Sequence, residues 1–328
     1  MPELPDIETY RAALTARMVG ATFTGVRVRG VSLLRTYDPP IDQLVGRVCT
    51  EIRRLGKRLV FVCTSPESSS EANTTEVNTT DASSADANEP WFMVLHLMIA
   101  GRLAWAAPDA PIPGKIGLAA FDLSATGAPE QPGGTLLLRE AGSKKRASLH
   151  LVAGEAGLVD HDRGGLEPLT ASLDDFAAEL KRENRTLKRV LTDPRRFSGI
   201  GNAFSDEILH AAGLSPVKRT DSMADTEVAR LYEATQHTLS TWTRTLQEQA
   251  GDAFPTDVTA FRDGFAAHGK YGHPCPACGT KVQRIRYAAN ETNYCPRCQT
   301  DGKVLADRSL SRLLKDDWPR TVDDLEGA

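Results

Sequence analysis

The first apolar positions of the chain fall on a helical period. Ile7, Tyr10, Leu14 and Met18 stand three to four residues apart, on one face of a helix predicted over 5–18 and ended by Gly20. From about 22 to 153 the pattern changes to short alternating or wholly apolar runs punctuated by Gly and Pro. These predict strands at 22–31, 48–52, 58–62, 92–97, 103–106, 117–123, 135–138 and 148–152, arranged as an antiparallel sandwich or barrel. After Gly164-Gly165 the period returns to helical, over 172–182, 185–192, 203–212 and 223–250. Asp193-Pro194 and Gly199-Ile200-Gly201-Asn202 interrupt it, and 251–267 reads as a longer connection. There is no internal repeat. The expected class is therefore α+β and multidomain: an N-terminal helix with an antiparallel β-sandwich, then a helical unit, then a small cysteine-bearing unit.

Composition modifies this picture at one place. Residues 65–90 are rich in Ser, Thr, Asn and Ala, carry six acids and contain no Lys or Arg, so they are expected to be a disordered acidic insertion between two strands. The chain has 328 residues, 41% of them hydrophobic, enough for two or three cores. It has no apolar run of about 18 residues and no basic start followed by an apolar stretch, so neither a membrane span nor a signal peptide is expected. A reducing compartment, the cytoplasm, follows as the default. The net charge of −4 speaks against nucleic acid only at first sight. The insertion accounts for six negative charges and 316–328 for a net four, so the remainder stands at +6. Within 268–315 there are nine Lys and Arg against three acids, a local surplus of the kind a phosphate backbone needs.

Four segments carry chemistry. Cys275-Pro-Ala-Cys278 and Cys295-Pro-Arg-Cys298 are two Cys-x-x-Cys pairs separated by 16 residues. They fit one tetrahedral structural Zn2+ around a hairpin; a redox pair or an iron–sulfur ligand set is the alternative. Cys49 and Cys63 lie in apolar runs and read as core. Near the finger stand Lys281, Arg284, Arg286 and Arg297. Gly199-Ile-Gly-Asn202 is either a plain turn or a helix entry whose N–H groups and Asn202 amide meet a phosphate. The basic residues before it, Lys188 among them, favour the DNA-gripping reading. Gly56-Lys57-Arg58 is a turn whose lysine is either simply solvated or reaches a phosphate or sugar. Lastly, Pro2 becomes an N-terminal secondary amine if Met1 is removed. An α-amino group titrates near ~8 against ~10.4 for lysine. It can attack a sugar aldehyde carbon, with Glu3 beside it to move protons. The bland alternative is that Pro2 and Pro5 merely open a helix.

Taken together these segments resemble the formamidopyrimidine-DNA glycosylase / endonuclease VIII family, nearer the formamidopyrimidine branch. The resemblance is carried by Met1-Pro-Glu-Leu-Pro-Asp-Ile-Glu8, Leu55-Gly-Lys-Arg-Leu59, Glu167-Pro-Leu169, Gly199-Ile-Gly-Asn202 with Ser205-Asp-Glu-Ile-Leu209, Tyr271-Gly272 and the four cysteines, in the family's order. It implies a β-sandwich lobe at 1–155, a helix–two-turns–helix DNA-binding domain at 165–265, a zinc finger at 268–303 and a tail at 304–328. It implies a monomeric base-excision repair enzyme, a DNA glycosylase and abasic-site lyase. The substrate would be double-stranded DNA bearing an oxidised or ring-opened base or an abasic site, and the damaged nucleotide would be rotated out of the stack. Pro2 would attack the sugar C1′, Glu3 would handle protons and Lys57 would assist β-elimination. Asn202, Lys188, His96, Tyr271, Arg284, Arg286 and Asn290 are the expected DNA contacts.

Three departures bear on outcome. The family's phosphate-binding Arg five residues before the third cysteine is here Asn290, a neutral amide, so δ-elimination is not expected to follow β-elimination fully. His96-Leu-Met-Ile-Ala-Gly101 shifts the family's space-filling Met by one position. Ser143-Lys-Lys-Arg146 stands where an Arg and a Phe are usual. The lesion preference could therefore shift to oxidised pyrimidines or bulky lesions. A non-catalytic, damage-sensing DNA-binding relative is the remaining alternative.

Overall fold

A computed structural model describes residues 1–30, 32–66, 89–126, 131–256, 258–287, 290–307, 311–313 and 318–326. The core of the expected acidic insertion, 67–88, lies outside them. By internal contacts the chain divides into two units, 1–163 with 245–258, and 164–244 with 259–328. The segment 251–258, read from sequence as part of a connection, thus belongs to the first unit, where Phe254 packs on Tyr10 with ring centroids 5.7 Å apart. Among the described residues no helix is long and apolar enough to cross a membrane.

The first unit begins with helix α1 (Leu4–Met18), which buries Ile7, Tyr10, Leu14 and Met18 as the period predicted. Its start is a capping box in which the Glu3 N–H donates to the Asp6 carboxylate at 2.8 Å, and Pro5 occupies the first turn where no N–H is needed. Eight strands follow: β1 (Phe23–Val28), β2 (Val48–Leu55), β3 (Arg58–Thr64), β4 (Trp91–His96), β5 (Gly101–Ala106), β6 (Gly117–Leu123), β7 (Gly134–Glu140) and β8 (Ser148–Ala153). They form two antiparallel sheets, ordered β1-β6-β7-β5 and β2-β3-β4-β8. The inward residues Phe61, Met93, Leu95, Phe121, Leu136 and Leu149 share one core with α1 and with Cys49 and Cys63. A fully buried Phe is worth about 1.5–3 kcal/mol of transfer, so this core holds the sandwich together. The period of two puts Arg58, Val60, Val62, Phe92, Val94, His96, His150 and Val152 on the opposite face of the second sheet. There Leu158 of a short helix, α2 (Gly154–Val159), covers the valines. The sequence pattern did not mark α2.

The second unit holds α3 (Leu173–Lys181), α4 (Leu187–Leu191), α5 (Asn202–Ala211) and α6 (Asp225–Ala250), the last counted with this unit up to Arg244. Ser172 caps α3 by accepting the Asp175 N–H at 3.1 Å. Phe176 meets Phe197 at a tilt and Tyr232 edge-on, and Phe204 meets Trp242 and Phe265 edge-on, which packs the helices around aromatic centres. The finger hairpin follows as β9 (Gln283–Arg286) and β10 (Glu291–Tyr294), with α7 (Pro296–Thr300) behind it.

Candidate active site and nucleic-acid interface

In the first unit the chain terminus is held rather than trailing. Pro2 is buried, and Glu3 is 3% exposed. Burial lowers the pKa of the Met1 amine from its ordinary value. Arg102 and Lys57 lower it further by their charge, while Glu3 and Asp6 act in the opposite sense. The terminus, Glu3, Lys57 and Arg102 therefore occupy one electrostatic neighbourhood. Lys57 sits in the two-residue turn between β2 and β3, where Gly56 takes φ +61°, a left-handed value that glycine adopts freely. Arg54 fixes that turn. Its Nε donates to Glu8 of α1 at 2.6 Å and its NH1 to the Gly56 carbonyl at 3.0 Å. Glu8 is shared with Arg11, at 2.7 Å. Local pattern could not reveal this, because Arg54 and Glu8 are 46 positions apart.

His96 ends β4, and its Nδ1 accepts the Met98 N–H at 2.9 Å. The neutral ring therefore carries its proton on Nε2, which is left as a donor. Burial, then the charges of Arg58, Lys57 and Arg163, lower its pKa to about 4. In the turn that follows, Met98 has φ +53° and Ile99 is 56% exposed. Gly101 closes the turn by donating to the Leu97 carbonyl at 2.9 Å, and a Cβ there would lie 2.3 Å from that oxygen. The exposed apolar tip is thus Ile99, whereas the sequence had drawn attention to Met98.

In the second unit a buried polar network joins α4, α5 and the finger. Lys188, expected on the DNA surface, donates to the Asn202 carbonyl at 2.6 Å and to Asp206 at 2.5 Å, with 12% of its side chain exposed. Asp206, wholly buried, also meets His268 Nδ1 at 2.7 Å and Asn293 Nδ2 at 3.4 Å. Next to it Glu207 accepts the backbone N–H groups of Ala266, Ala267 and His268 at 2.8 to 2.9 Å. Burial nonetheless raises its pKa. Asn202 opens α5 and turns its amide to the Glu291 carbonyl of β10, at 3.0 Å. The glycine turn before it includes Gly199 at φ +79°. Sequence reasoning assigned no role to Asp206 or His268; the available signal was two adjacent acids, Asp206 and Glu207, both buried on α5.

On the finger, Tyr271 is 48% exposed and carries the Arg284 guanidinium 4.1 Å above its ring. Arg284 also faces Glu291 at 3.5 Å. Arg286 is exposed, and its side chain has no ion-pair partner among the described residues. Asn290 is exposed and its carbonyl accepts the Tyr287 N–H at 2.7 Å. The Sγ atoms of Cys275, Cys278, Cys295 and Cys298 all lie within 4.8 Å of one another. Zn–S bonds of about 2.3 Å in a tetrahedron need sulfurs about 3.8 Å apart, and Cys275–Cys298 stands at 3.9 Å and Cys278–Cys295 at 3.4 Å. Four thiolates close the coordination sphere, so the site suits a structural zinc ion. His210 Nε2 from α5 lies 3.2 Å from Cys275 Sγ.

Residues 1–200 match the formamidopyrimidine-DNA glycosylase N-terminal domain, 165–250 its H2TH domain, and 272–300 the zinc finger found in FPG and IleRS. An uncharacterized formamidopyrimidine-DNA glycosylase-like protein of Mycobacterium tuberculosis is 40% identical over 151 residues, 46% of this chain and 94% of its own. The formamidopyrimidine-DNA glycosylase of Herpetosiphon aurantiacus is 28% identical over 315 residues, 91% of this chain and 100% of its own. The fold is that of Lactococcus lactis Fpg (MutM), solved with DNA containing N7-benzyl-Fapy-dG. The TM-score is 0.72 at 22% identity, covering 91% of this chain and 100% of that one. The same protein with abasic-site DNA gives 0.70, covering 91% and 99%.

Proposed function

The chain belongs to the formamidopyrimidine-DNA glycosylase family, and from that premise we propose that it excises damaged bases from duplex DNA through a Pro2 covalent intermediate and then cuts the strand as a lyase. It is a DNA glycosylase of base-excision repair with a structural zinc finger. Removal of Met1 frees the Pro2 nitrogen. That nitrogen attacks C1′ of the damaged nucleotide, the C1′–base bond breaks, and the base leaves with a proton. The C1′–O4′ bond then opens with a proton delivered to O4′, which leaves an iminium at C1′ that acidifies the C2′ proton; loss of that proton expels the 3′ phosphate oxygen. Glu3, buried beside Pro2, moves the protons at the sugar. Burial of this end of the chain, with the like charges of Arg102 and Lys57, favours the unprotonated amine, and both cations face the substrate's phosphates. Asn202, Tyr271, Arg284 and Arg286 contact the backbone from the second unit. Lys188 acts there from beneath, by holding Asn202 and Asp206. Asn290 offers no charge, so cutting stops mainly after β-elimination.

The observation that carries this reading is the convergence of buried Pro2 and Glu3 with Lys57 and Arg102 at the start of a capped helix. Borohydride trapping on a duplex with one abasic site tests it. The expected product is an adduct that intact-mass analysis maps to Pro2. Pro2→Gly should weaken or abolish the adduct and keep binding. Unchanged trapping in that variant would refute the assignment. The partner is duplex DNA with a damaged base or abasic site, bound by a monomer in the cytoplasm. A preference away from 8-oxoguanine opposite cytosine is the second reading, favoured by Ile99 standing at the exposed tip of the β4–β5 turn.

A further inference from the structure

The outer face of the second sheet ends in a group of cations and imidazoles with almost nothing to neutralise them. Arg58 of β3 stands directly opposite His96 of β4, and His150 of β8 is opposite Val94, one diagonal step from His96. The ring of His161, just beyond α2, lies against that of His150, with centroids 4.5 Å apart at 63°. Arg163 and Arg35 add their charge to the group. The opposing charges are Asp160 beside His161 and Asp162 beside Arg58.

None of the cations has its acceptor. Among the described residues, the half-buried Arg58 guanidinium has no hydrogen-bond or ion-pair partner, and neither do the His150 and His161 rings nor the Arg163 side chain. A half-buried guanidinium usually finds an oxygen, because its five N–H groups lose water without compensation otherwise. Burial lowers the pKa of Arg58, His150 and His161 alike, and neighbouring positive charge adds to it in each case. The missing component is an anion with several oxygens.

The place of the group favours one source for that anion. The charge of Lys57 acts both on the chain terminus and on His96, so the group begins where the proposed active site ends. We propose that Arg58, His150 and His161, flanked by Arg163, form a phosphodiester site that takes one backbone phosphate of the bound DNA strand. The site rests on the DNA-repair reading above and extends it beyond His96. Arrival of the phosphate supplies the opposing charge that the imidazoles lack, so they take up protons as the DNA binds. DNA affinity should therefore rise as pH falls. The charged groups acting on the two histidines are Arg35, Arg58, Arg163 and Asp160, with Asp162 acting on Arg58.

The test is equilibrium binding of a duplex carrying a tetrahydrofuran abasic-site analogue, measured against salt and pH. His150→Ala with His161→Ala should weaken binding about tenfold, as loss of charge-assisted bonds does. It should also flatten the rise in affinity between about pH 8 and about pH 6. Arg163→Gln should lower the slope of log affinity against log salt by about 1. Wild-type affinity, slope and pH response in all of these variants would overturn the site while leaving the repair reading intact. Failure of the wild-type protein to bind the duplex would overturn both. Because the variants could misfold, a second measurement uses wild-type protein and single neutral methylphosphonates along the DNA. One position should abolish the pH dependence; if no position does, the site is refuted. Histidine side-chain NMR separates the sources: shifts of His150 and His161 with millimolar inorganic phosphate but not with the duplex would make this a free-phosphate site and overturn the assignment to DNA.

Discussion

His210 Nε2 on α5 lies 3.2 Å from Cys275 Sγ, the first ligand of the zinc finger. A zinc-bound thiolate can only accept, so the imidazole donates, and the helix that follows the glycine turn is tied to the metal's own ligand shell. Such outer partners are worth about 10- to 100-fold in metal affinity. His210→Ala should lose zinc to a chelator correspondingly faster, read as zinc content against time. Retention at the wild-type rate would show that the contact does not support the metal. Full zinc removal should melt the finger and carry the contacts of Asn293 with it.

Asp206 is the hub of the second unit. Its replacement by Ala leaves the Lys188 ammonium buried without its partner and should cost about 3–5 kcal/mol, measured by denaturant unfolding. Lys181→Ala breaks an ion pair with a fully exposed partner and should leave the unfolding midpoint almost unchanged.

Arg54→Lys keeps the ion pair with Glu8 but loses the rigid fork that reaches the Gly56 carbonyl. The Lys57 turn is then less well aimed at the terminus. The expected result is an adduct-forming rate reduced about 10- to 100-fold with the melting temperature little changed.

The free protein should be acid-labile over a defined window. Burial and the charges of Arg58, Lys57 and Arg163 lower His96 to about 4; burial, His161, Arg58 and Arg35 do the same for His150. A free histidine titrates near ~6.5. Between the two values the unfolded chain binds more protons, so stability is complete above the unfolded value and is lost as pH falls toward the folded one. The melting temperature should drop between about pH 6.5 and about pH 4, and His150→Gln should reduce the drop.

Ile99→Ala removes the exposed apolar tip of the β4–β5 turn. If that tip supports the opened duplex, excision from duplex DNA should fall about tenfold, on the scale of a few lost methylenes. Strand cutting at an abasic site in single-stranded DNA should stay within about twofold.

The sequence by itself determined the layers and the metal. The short apolar runs at 58–62 and 92–97 marked the strands, and two Cys-x-x-Cys pairs marked the finger, because each signal lies within a few residues of backbone. It also marked Pro2, Glu3 and Lys57 by resemblance. Only the tertiary structure decided which cations are available. Lys188 and Arg189 are neighbours in the chain, yet helix α4 turns one onto Asp206 and the other to solvent. Met98 and Ile99 exchange roles because the left-handed backbone at Met98 leaves Ile99 exposed at the tip. The meetings of Arg54 with Glu8, of Asp206 with His268 and of His150 with His161 join residues from 11 to 62 positions apart. Such contacts follow from how elements pack, and no local pattern of residues records them.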